Sequence, residues 1–181
     1  MARRPRRRTF HHGDTKRAAL EAALALLESE GRDALTLRAV AAGIGVNHRA
    51  LYRHFASLDD LKVDVAAVGF DRLADALEKV EPGASRQLAN RYAQFALANE
   101  HLYELMFSLP LRKWYGAPAG IGLAIRRVTA ASVAAVDSPG DAKAKVFRIW
   151  GLVHGMVGLY RAGTWHAADD HKAADFIASL V

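Results

Sequence analysis

Apolar residues recur every three or four positions through most of the chain, which is the spacing of one face of an α-helix. Leu20, Leu24 and Leu27 follow this spacing and predict a first helix. Asp14 precedes them as a candidate N-cap, because its carboxylate can accept a hydrogen bond from a free backbone N–H. Gly31 marks the end of the segment, so the first helix is predicted between these two residues.

Three further helices are predicted before the first strong break in the chain. Their expected N-caps are Thr36, Asn47 and Ser57, the last of which forms a Ser-x-x-Asp capping box with Asp60. The fourth helix is predicted to run to about Val80, just before Pro82-Gly83. The first four helices are therefore short elements delimited by polar caps and turn residues.

Helical spacing continues beyond this break. Predicted segments lie near 84–99, 101–108, 118–136, 141–162 and 167–180, and proline or glycine residues separate most of them. No alternating apolar and polar stretch is bounded by hairpin turns. The sequence thus predicts an all-α protein of about nine helices. Its expected divisions are a basic arm (1–13), a helix-turn-helix domain (14–56), a linking helix (57–80) and a C-terminal ligand-binding and dimerisation domain (81–181).

The second and third helices have the layout of a helix-turn-helix. The apolar positions that should face the first helix are Leu37, Val40, Ala41, Ile44, Val46, Leu51 and Phe55. Gly43 and Gly45 bracket the turn, where a side chain would either crowd the helices or meet a positive φ. The polar residues of the third helix are left facing outward, as in a helix that reads the DNA major groove.

The outward residues suit DNA chemistry. Arg49 can make a forked contact to guanine, and Ala50 can touch a thymine methyl group. Short or rigid donors near helix ends suit phosphate oxygens. The candidate DNA-binding residues are Arg6, Arg7, Arg8, Thr36, Arg38, Asn47, His48, Arg49, Ala50, Tyr52, Arg53, His54 and Lys62. The alternative interpretation is a basic, solvated helix pair in an unrelated helical protein.

The positive charge of the chain is confined to its N-terminal third. Positions 1–55 hold 11 Lys or Arg against 5 Asp or Glu, whereas positions 56–181 hold 14 of each. The whole excess of six charges therefore accompanies the helix-turn-helix, which favours a polyanion partner at that end. Residues 2–8 form an arginine-rich arm that either reaches phosphates and the minor groove or serves only as a solubilising tail.

Other chemistry has little support in the sequence. The chain has no cysteine, which excludes disulfides, zinc–thiolate sites and a cysteine nucleophile. Its histidines lack metal-ligand spacing with a carboxylate, so neither a metal nor another cofactor is expected. No nucleophile–base motif, phosphate loop or carboxylate pair indicates an enzyme. Without a signal peptide or an apolar span, a cytoplasmic, nucleoid-associated protein is expected.

Residues 10–70 resemble the DNA-binding domain of TetR/AcrR-type bacterial transcriptional regulators. The similar strings are Ala-Leu-Thr-Leu-Arg-Ala-Val-Ala, Gly-Val-Asn-His-Arg-Ala-Leu-Tyr-Arg-His-Phe and Ser-Leu-Asp-Asp-Leu. The chain departs from the family pattern at two positions. Asn47 replaces the usual Ser or Thr, and Leu58 replaces a lysine that touches phosphate in the family. Lys62, one turn further on, is the candidate substitute for that lysine.

Residues 99–107, Asn-Glu-His-Leu-Tyr-Glu-Leu-Met-Phe, and the segment Trp150 to Gly155 resemble a subgroup of the same family that carries a Trp-x-x-x-His-Gly signature. The resemblance implies a homodimer through residues 141–162 and 167–181, which pair with their mates in a four-helix bundle. Plotted at 100° per residue, the longer segment has a smooth face that would suit such close packing. That face comprises Phe147, Gly151, Gly155, Gly158 and Ala162.

Aromatic residues of the C-terminal part are candidates for a small-molecule site, because the family binds effectors in this domain. The candidates are Tyr92, Phe95, Tyr103, Met106, Phe107, Trp114, Trp150 and His154. The competing interpretation is ordinary core packing, since aromatic residues at helical spacing usually pack the interior. Tyr103 and His154 would anchor a mostly apolar effector.

The leading hypothesis is a dimeric regulator that binds a near-palindromic DNA operator and acts as a repressor, released by that effector. The alternative is a structural nucleic-acid-binding protein without an effector, which would bind DNA with no sequence preference.

Overall fold

The computed structural model describes residues 12–114, 117, 120–138 and 140–181 of the chain, with side chains from Thr15 onward. Nine α-helices occupy these residues, and no strand is found among them. Single 3-10 turns lie at Arg32–Ala34 and Leu111–Lys113. The helices are α1 His12–Glu30, α2 Leu37–Gly43, α3 His48–Leu51, α4 Leu58–Leu77, α5 Ser85–Ala98, α6 Glu100–Ser108, α7 Ile121–Val136, α8 Ala142–Arg161 and α9 Asp170–Ser179. The predicted all-α class is confirmed.

The chain divides into two compact units, Met1–Val65 and Ala66–Val181, with the boundary inside α4. In the N-terminal unit, α1, α2 and α3 pack against one another. Leu27, Leu51, Phe55 and Leu61 are almost completely buried there. Each such side chain contributes roughly 1.5–3 kcal/mol by leaving water, so a few of them stabilise a small three-helix core.

Three of the four predicted N-caps are confirmed by hydrogen bonds. The Thr36 hydroxyl accepts from the Ala39 N–H at 3.1 Å, and the Asn47 side-chain oxygen accepts from the Arg49 N–H at 2.9 Å. The Ser57 hydroxyl accepts from the Asp60 N–H at 3.1 Å. Each bond satisfies a donor that the helix itself leaves unpaired, which fixes where these helices begin.

Two predicted helix limits are wrong. The first helix begins at His12, so Asp14 lies inside its first turn rather than at its N-cap. Acidic residues are favoured both at the N-cap and in the first turn of a helix, so residue type alone does not distinguish the two positions. The fourth helix ends at Leu77, and the Val80 N–H bonds back to the Leu77 carbonyl at 3.0 Å in a tighter turn.

The C-terminal unit is built around α5, which packs against α6, α7, α8 and α9. Gly69 of α4 permits a close approach to α6. A Cβ added at Gly69 would lie 2.5 Å from the Met106 sulfur and 3.1 Å from a Leu102 methyl group. Packing therefore favours glycine at this position, since a larger residue would force the Met106 and Leu102 side chains to shift, although glycine weakens the helix intrinsically.

Arg127 of α7 binds three carboxylates on one face of α4. Its guanidinium lies 2.7 Å from an oxygen of Asp71, 2.7 Å from one of Asp75 and 3.0 Å from one of Glu78. The hydrogen bonds that it donates to Asp75, Glu78 and Asp71 raise the pKa of Arg127 above its ordinary value. One cation thus ties two helices together and offsets part of the charge of an acidic stripe.

Replacing Arg127 with glutamine is expected to lower the thermal stability of the protein. The three carboxylates would then repel one another along α4 without a compensating cation. The loss should shrink as the salt concentration rises, because mobile ions screen exposed charges. Thermal unfolding of Arg127→Gln at low and high salt tests this, with the exposed Arg91→Gln as the control. Equal melting midpoints for both variants at low salt would contradict the expectation.

Two features are missing from the part of the chain that the structure describes. No helix in it is long and apolar enough to cross a membrane. No group of three or more His, Cys, Asp or Glu side chains in it is arranged to hold a metal ion.

Candidate functional sites

The N-terminal unit presents the polar side of α3 to solvent. His48, Arg49 and Arg53 are exposed, and Tyr52 is 54% exposed. Leu51, between them, is fully buried. Ala50 and His54 are half-buried, and the chain turns after Leu51, whose carbonyl accepts from the His54 N–H at 2.9 Å. The predicted division between inward and outward positions is observed from His48 to Phe55, that is, in α3 and the turn after it.

The backbone conformation of the turn between α2 and α3 explains why one of its two glycines is a glycine. Gly45 has a φ of 70°, and a Cβ added there would have no neighbour within 4 Å. Its backbone conformation, rather than crowding, therefore favours glycine. A Cβ at Gly43 would lie 3.7 Å from the Ala22 Cβ, which is an ordinary contact. Crowding at Gly43, one of the two explanations that the sequence left open, is not observed.

Exposed donors surround α2 and α3. Thr36 and Arg38 at the start of α2 are exposed, as is Asn47 before α3. Helix N-termini carry free N–H groups and a partial positive charge, both of which favour phosphate. A surface with these groups beside arginines can hold a DNA backbone and present Arg49 to a base edge.

The remaining DNA-binding candidates are not among the exposed donors of α2 and α3. The Lys62 side chain is 25% exposed, and its ammonium lies 3.8 Å from a carboxylate oxygen of Asp59. A phosphate would therefore have to compete with Asp59 for this cation. Arg6, Arg7 and Arg8 lie outside the described residues.

Five of the eight predicted pocket residues meet in the C-terminal unit, and we call them the ring cluster: Tyr92, Tyr103, Phe107, Trp150 and His154. Ring centroids of Tyr103 and Phe107 are 4.8 Å apart, and those of Phe107 and His154 are 4.9 Å apart. Tyr92 lies 6.1 Å from Tyr103 and 6.5 Å from Trp150. The cluster brings side chains of α5, α6 and α8 together, with His154 on an exposed part of α8.

Hydrogen bonds join the polar ends of these rings. The hydroxyl oxygens of Tyr92 and Tyr103 are 3.3 Å apart, and the Tyr103 oxygen is 2.7 Å from Nδ1 of His154. The Trp150 N–H donates to the Ser132 hydroxyl at 3.2 Å. Burial raises the pKa of Tyr103 to about 12, although Tyr92 and Arg161 oppose the shift. Burial also raises the pKa of Tyr92, so both phenols are neutral.

Arg161, which the sequence did not single out as a site residue, flanks the ring cluster. Its guanidinium carbon lies 5.7 Å from the centre of the Tyr103 ring. The same group donates to the Ala96 carbonyl at 2.6 Å and lies 3.6 Å from a Glu100 carboxylate oxygen. The cation is therefore already bound by protein groups on several sides. Arg161 follows His154 at helical spacing on the same face of α8, and this pattern could have identified it as a site residue.

The other predicted pocket residues lie apart from the cluster or pack beneath it. Met106 is fully buried against Gly69. Phe95 is buried and Trp114 half-buried, and neither makes an aromatic contact with the cluster among the described residues. Phe70 of α4, missed in the sequence, lies 5.6 Å from Phe107 between ring centres.

Lowering the pH through about 6.5 is expected to lower the free energy of unfolding, and His154 is the group responsible. The ring of His154 packs on Tyr103 and Phe107, and this partial burial, with Arg161 as the smaller cause, lowers the pKa of His154 below its ordinary value of 6.5. The unfolded chain then takes up the proton first, so the free energy of unfolding falls as the pH drops through the unfolded pKa. The free energy of unfolding stops falling once the pH is below the pKa of His154 in the folded protein. Urea unfolding from about pH 7.5 to about pH 5.5 should show a steeper fall for the wild type than for His154→Gln; parallel curves would argue against it.

Comparison with known proteins identifies the chain. Residues 19–65 match the family described as "Bacterial regulatory proteins, tetR family". Residues 85–181, more than half of the chain, match "Tetracyclin repressor-like, C-terminal domain". The chain belongs to the TetR family. This family consists of DNA-binding transcriptional regulators, which are not enzymes, and effector-responsive control of DNA binding is typical of it.

Relatives of this TetR-family regulator cover nearly its whole length. The HTH-type transcriptional regulator Rv0681 from Mycobacterium tuberculosis is 28% identical over 176 residues, covering 92% of this chain and 79% of the relative. A protein of unknown function from Rhodococcus sp. RHA1 has a solved structure that is 29% identical, with a TM-score of 0.75 and 96% of each chain covered.

A more distant regulator from Saccharomonospora viridis, solved in complex with choline, is 17% identical with a TM-score of 0.61. It covers 93% of this chain and 96% of its own. It shows the shared fold.

Helix α8 of the TetR-family regulator has one buried face and one open face. Val146, Ile149, Val153 and Val157 are buried. On the predicted smooth face, Ala162 and the three glycines are exposed, and Phe147 is 54% exposed. Cβ atoms added at Gly151, Gly155 and Gly158 would have no neighbour within 4 Å in the described chain. These glycines are therefore not required by packing within one copy of the chain.

Proposed function

We propose that this TetR-family regulator is a homodimeric repressor that a small, mostly apolar effector releases from a near-palindromic operator. The outward placement of His48, Arg49, Tyr52 and Arg53 over the buried Leu51 is the observation that carries the proposal. In the proposed complex, α3 enters the major groove, and Arg49 and Ala50 contact bases. Thr36, Tyr52 and His54 hold phosphates, and Lys62 joins them once it leaves Asp59.

The proposed dimer forms through α8 and α9. The open glycine face of α8 supports it, as do the exposed apolar side chains of Phe147, Leu159 and Phe176 on these two helices and of Leu180 just after α9. One short recognition helix binds DNA weakly, whereas two held at a fixed spacing add their contacts. A second copy therefore supplies affinity as well as the symmetry of the operator.

The proposed effector binds at the ring cluster. We place the protein in the Trp-x-x-x-His-Gly subgroup, because Trp150 and His154 of that signature both belong to the cluster. The contact from Phe107 to Phe70 gives the cluster a physical connection to α4, the helix that continues into the N-terminal unit. The effector must bind the conformation that does not fit DNA more tightly than the conformation that does, since otherwise it would shift no equilibrium. The cytoplasmic nucleoid is the proposed location.

Selection of random duplexes tests the DNA-binding part of this proposal. The full-length protein is mixed with a random library, and the bound duplexes are sequenced after several rounds. One enriched, near-palindromic sequence is the expected result. A structural nucleic-acid-binding protein would enrich none, and that outcome would favour the alternative function.

Deleting residues 2–8 is expected to weaken binding to specific and random duplexes alike. The arm carries five arginines, and each phosphate that they neutralise releases counterions. The slope of log affinity against log salt should therefore become shallower by roughly 0.9 for each phosphate that is no longer neutralised. Fluorescence anisotropy at several salt concentrations measures this slope. A slope equal to that of the full chain would leave the arm as a solubilising tail.

A further inference from the structure

The ring cluster contains one polar atom that is not paired within the protein. Nδ1 of His154 is engaged by the Tyr103 hydroxyl at 2.7 Å. Nε2, the other ring nitrogen, has no hydrogen-bond partner among the described residues, and His154 is exposed. The N–H of the half-buried Trp150, in contrast, already donates to Ser132. A molecule resting on the cluster would therefore meet Nε2 as its polar contact.

Counting protons along the hydrogen-bond chain determines what Nε2 carries. The Tyr92 hydroxyl is buried, and its hydrogen-bond partner is the Tyr103 hydroxyl. Either hydroxyl can donate across this 3.3 Å contact. If Nδ1 of His154 donated to Tyr103, one of the two phenol protons, that of Tyr92 or that of Tyr103, would be buried without an acceptor. Such an unpaired donor costs roughly 1–3 kcal/mol. The order that pairs every proton runs from Tyr92 to Tyr103 to Nδ1, which leaves the His154 proton on Nε2.

The charges around His154 favour an uncharged partner. Partial burial of the ring and the Arg161 guanidinium both disfavour a positive imidazole. Arg161 would also repel a cationic ligand. An anionic ligand would find Arg161 already bound by the Ala96 carbonyl and close to Glu100, and it would lose water without gaining a free cation.

We propose that His154 is held as the neutral Nε2–H tautomer by Tyr92 and Tyr103, and that it selects uncharged effectors carrying a carbonyl-type hydrogen-bond acceptor. The apolar body of such a molecule would lie against Phe107 and Trp150, and its acceptor would face Nε2. Aromatic ketones, esters and lactones have this chemistry. The inference rests on the proposed role of the ring cluster as the effector site.

The tautomer can be observed without any ligand. NMR of the full-length protein labelled with 15N-histidine distinguishes a protonated ring nitrogen from an unprotonated one, and His154→Gln assigns the signals. We expect a protonated Nε2 and an unprotonated Nδ1 at neutral pH. Tyr103→Phe should remove this preference. A proton on Nδ1 in the wild type would overturn the proposal.

Three matched probes test the selectivity: acetophenone, the nearly isosteric hydrocarbon α-methylstyrene, and benzoate. Titrations followed through the His154 nitrogen signals should show acetophenone binding roughly five- to tenfold more tightly than the hydrocarbon, the effect of one neutral hydrogen bond. Benzoate should bind more weakly than both. In His154→Phe, thermal shifts should rank the ketone and the hydrocarbon equally, whereas Phe107→Leu should weaken both together.

Several results would overturn the proposal. These are equal binding of the ketone and the hydrocarbon by the wild type, tighter binding of benzoate, or no binding of any probe. None of these measurements uses DNA. Failure of the duplex selection would therefore refute the regulator function and leave this inference unaffected. Failure of the probe titrations would refute this inference and leave the DNA-binding function unaffected.

Discussion

Gly155→Leu is expected to convert the protein to a monomer and to lower its affinity for a palindromic operator by at least ~100-fold. The glycine face of α8 is open in one copy of the chain, because a Cβ added at Gly155 would have no neighbour within 4 Å there. In the proposed dimer, the same leucine would separate two helices that approach closely. The fold itself should not suffer, because leucine favours a helix more than glycine does.

Sedimentation velocity and DNA titration on the same samples measure both effects of Gly155→Leu. Ala98→Leu, which adds a side chain at an exposed position of α5, is the matched control and should stay dimeric with unchanged affinity. Helical content by circular dichroism should be unchanged in both variants. A dimeric Gly155→Leu with wild-type affinity would show that α8 is not the interface.

Leu51→Ala is expected to cost about 2–5 kcal/mol of stability and to abolish DNA binding. Leu51 is fully buried in α3, and its removal leaves a cavity in the small core that α1, α2 and α3 share. Whole domains have only about 5–15 kcal/mol of stability, and small ones lie at the low end. The N-terminal unit should therefore unfold in a large fraction of molecules.

Tyr52→Ala is the matched control for Leu51→Ala, because the neighbouring side chain is largely exposed. Its stability should stay within about 0.5 kcal/mol of the wild type, while DNA affinity falls because a phosphate no longer has the phenol as its donor. Hydrogen exchange of the α1–α3 amides and DNA titration separate the two effects. Full amide protection in Leu51→Ala would contradict the packing argument.

The features that the sequence predicted well are local ones. Thr36, Asn47 and Ser57 cap their helices through bonds that span two or three residues, so residue type and position suffice to place them. The start of α1 was misplaced for the same local reason, since Asp14 suits a first turn as well as a cap. Helix limits near such residues depend on small differences in free energy.

Contacts between distant helices were not predictable in the same way. Helical spacing shows which residues share a face but not which helix that face will meet. The binding of Arg127 to Asp71 and the contact of Gly69 with Met106 each join segments far apart in the chain. The ring cluster was predicted in part. The sequence pattern identified Tyr103 and His154 as candidate site residues but did not identify Arg161.

If α8 pairs with a second copy as proposed, its three exposed glycines would also make the stability of the regulator depend on its own concentration. A glycine inside a helix costs nearly 1 kcal/mol relative to alanine, so the isolated α8 is weakened by about 3 kcal/mol. Pairing with a second copy would offset this cost, and mass action then makes the melting temperature rise with protein concentration. In a cell with few copies, dilution after division would leave more monomers, whose α8 unfolds more readily. The supply of active regulator would fall more steeply than its copy number.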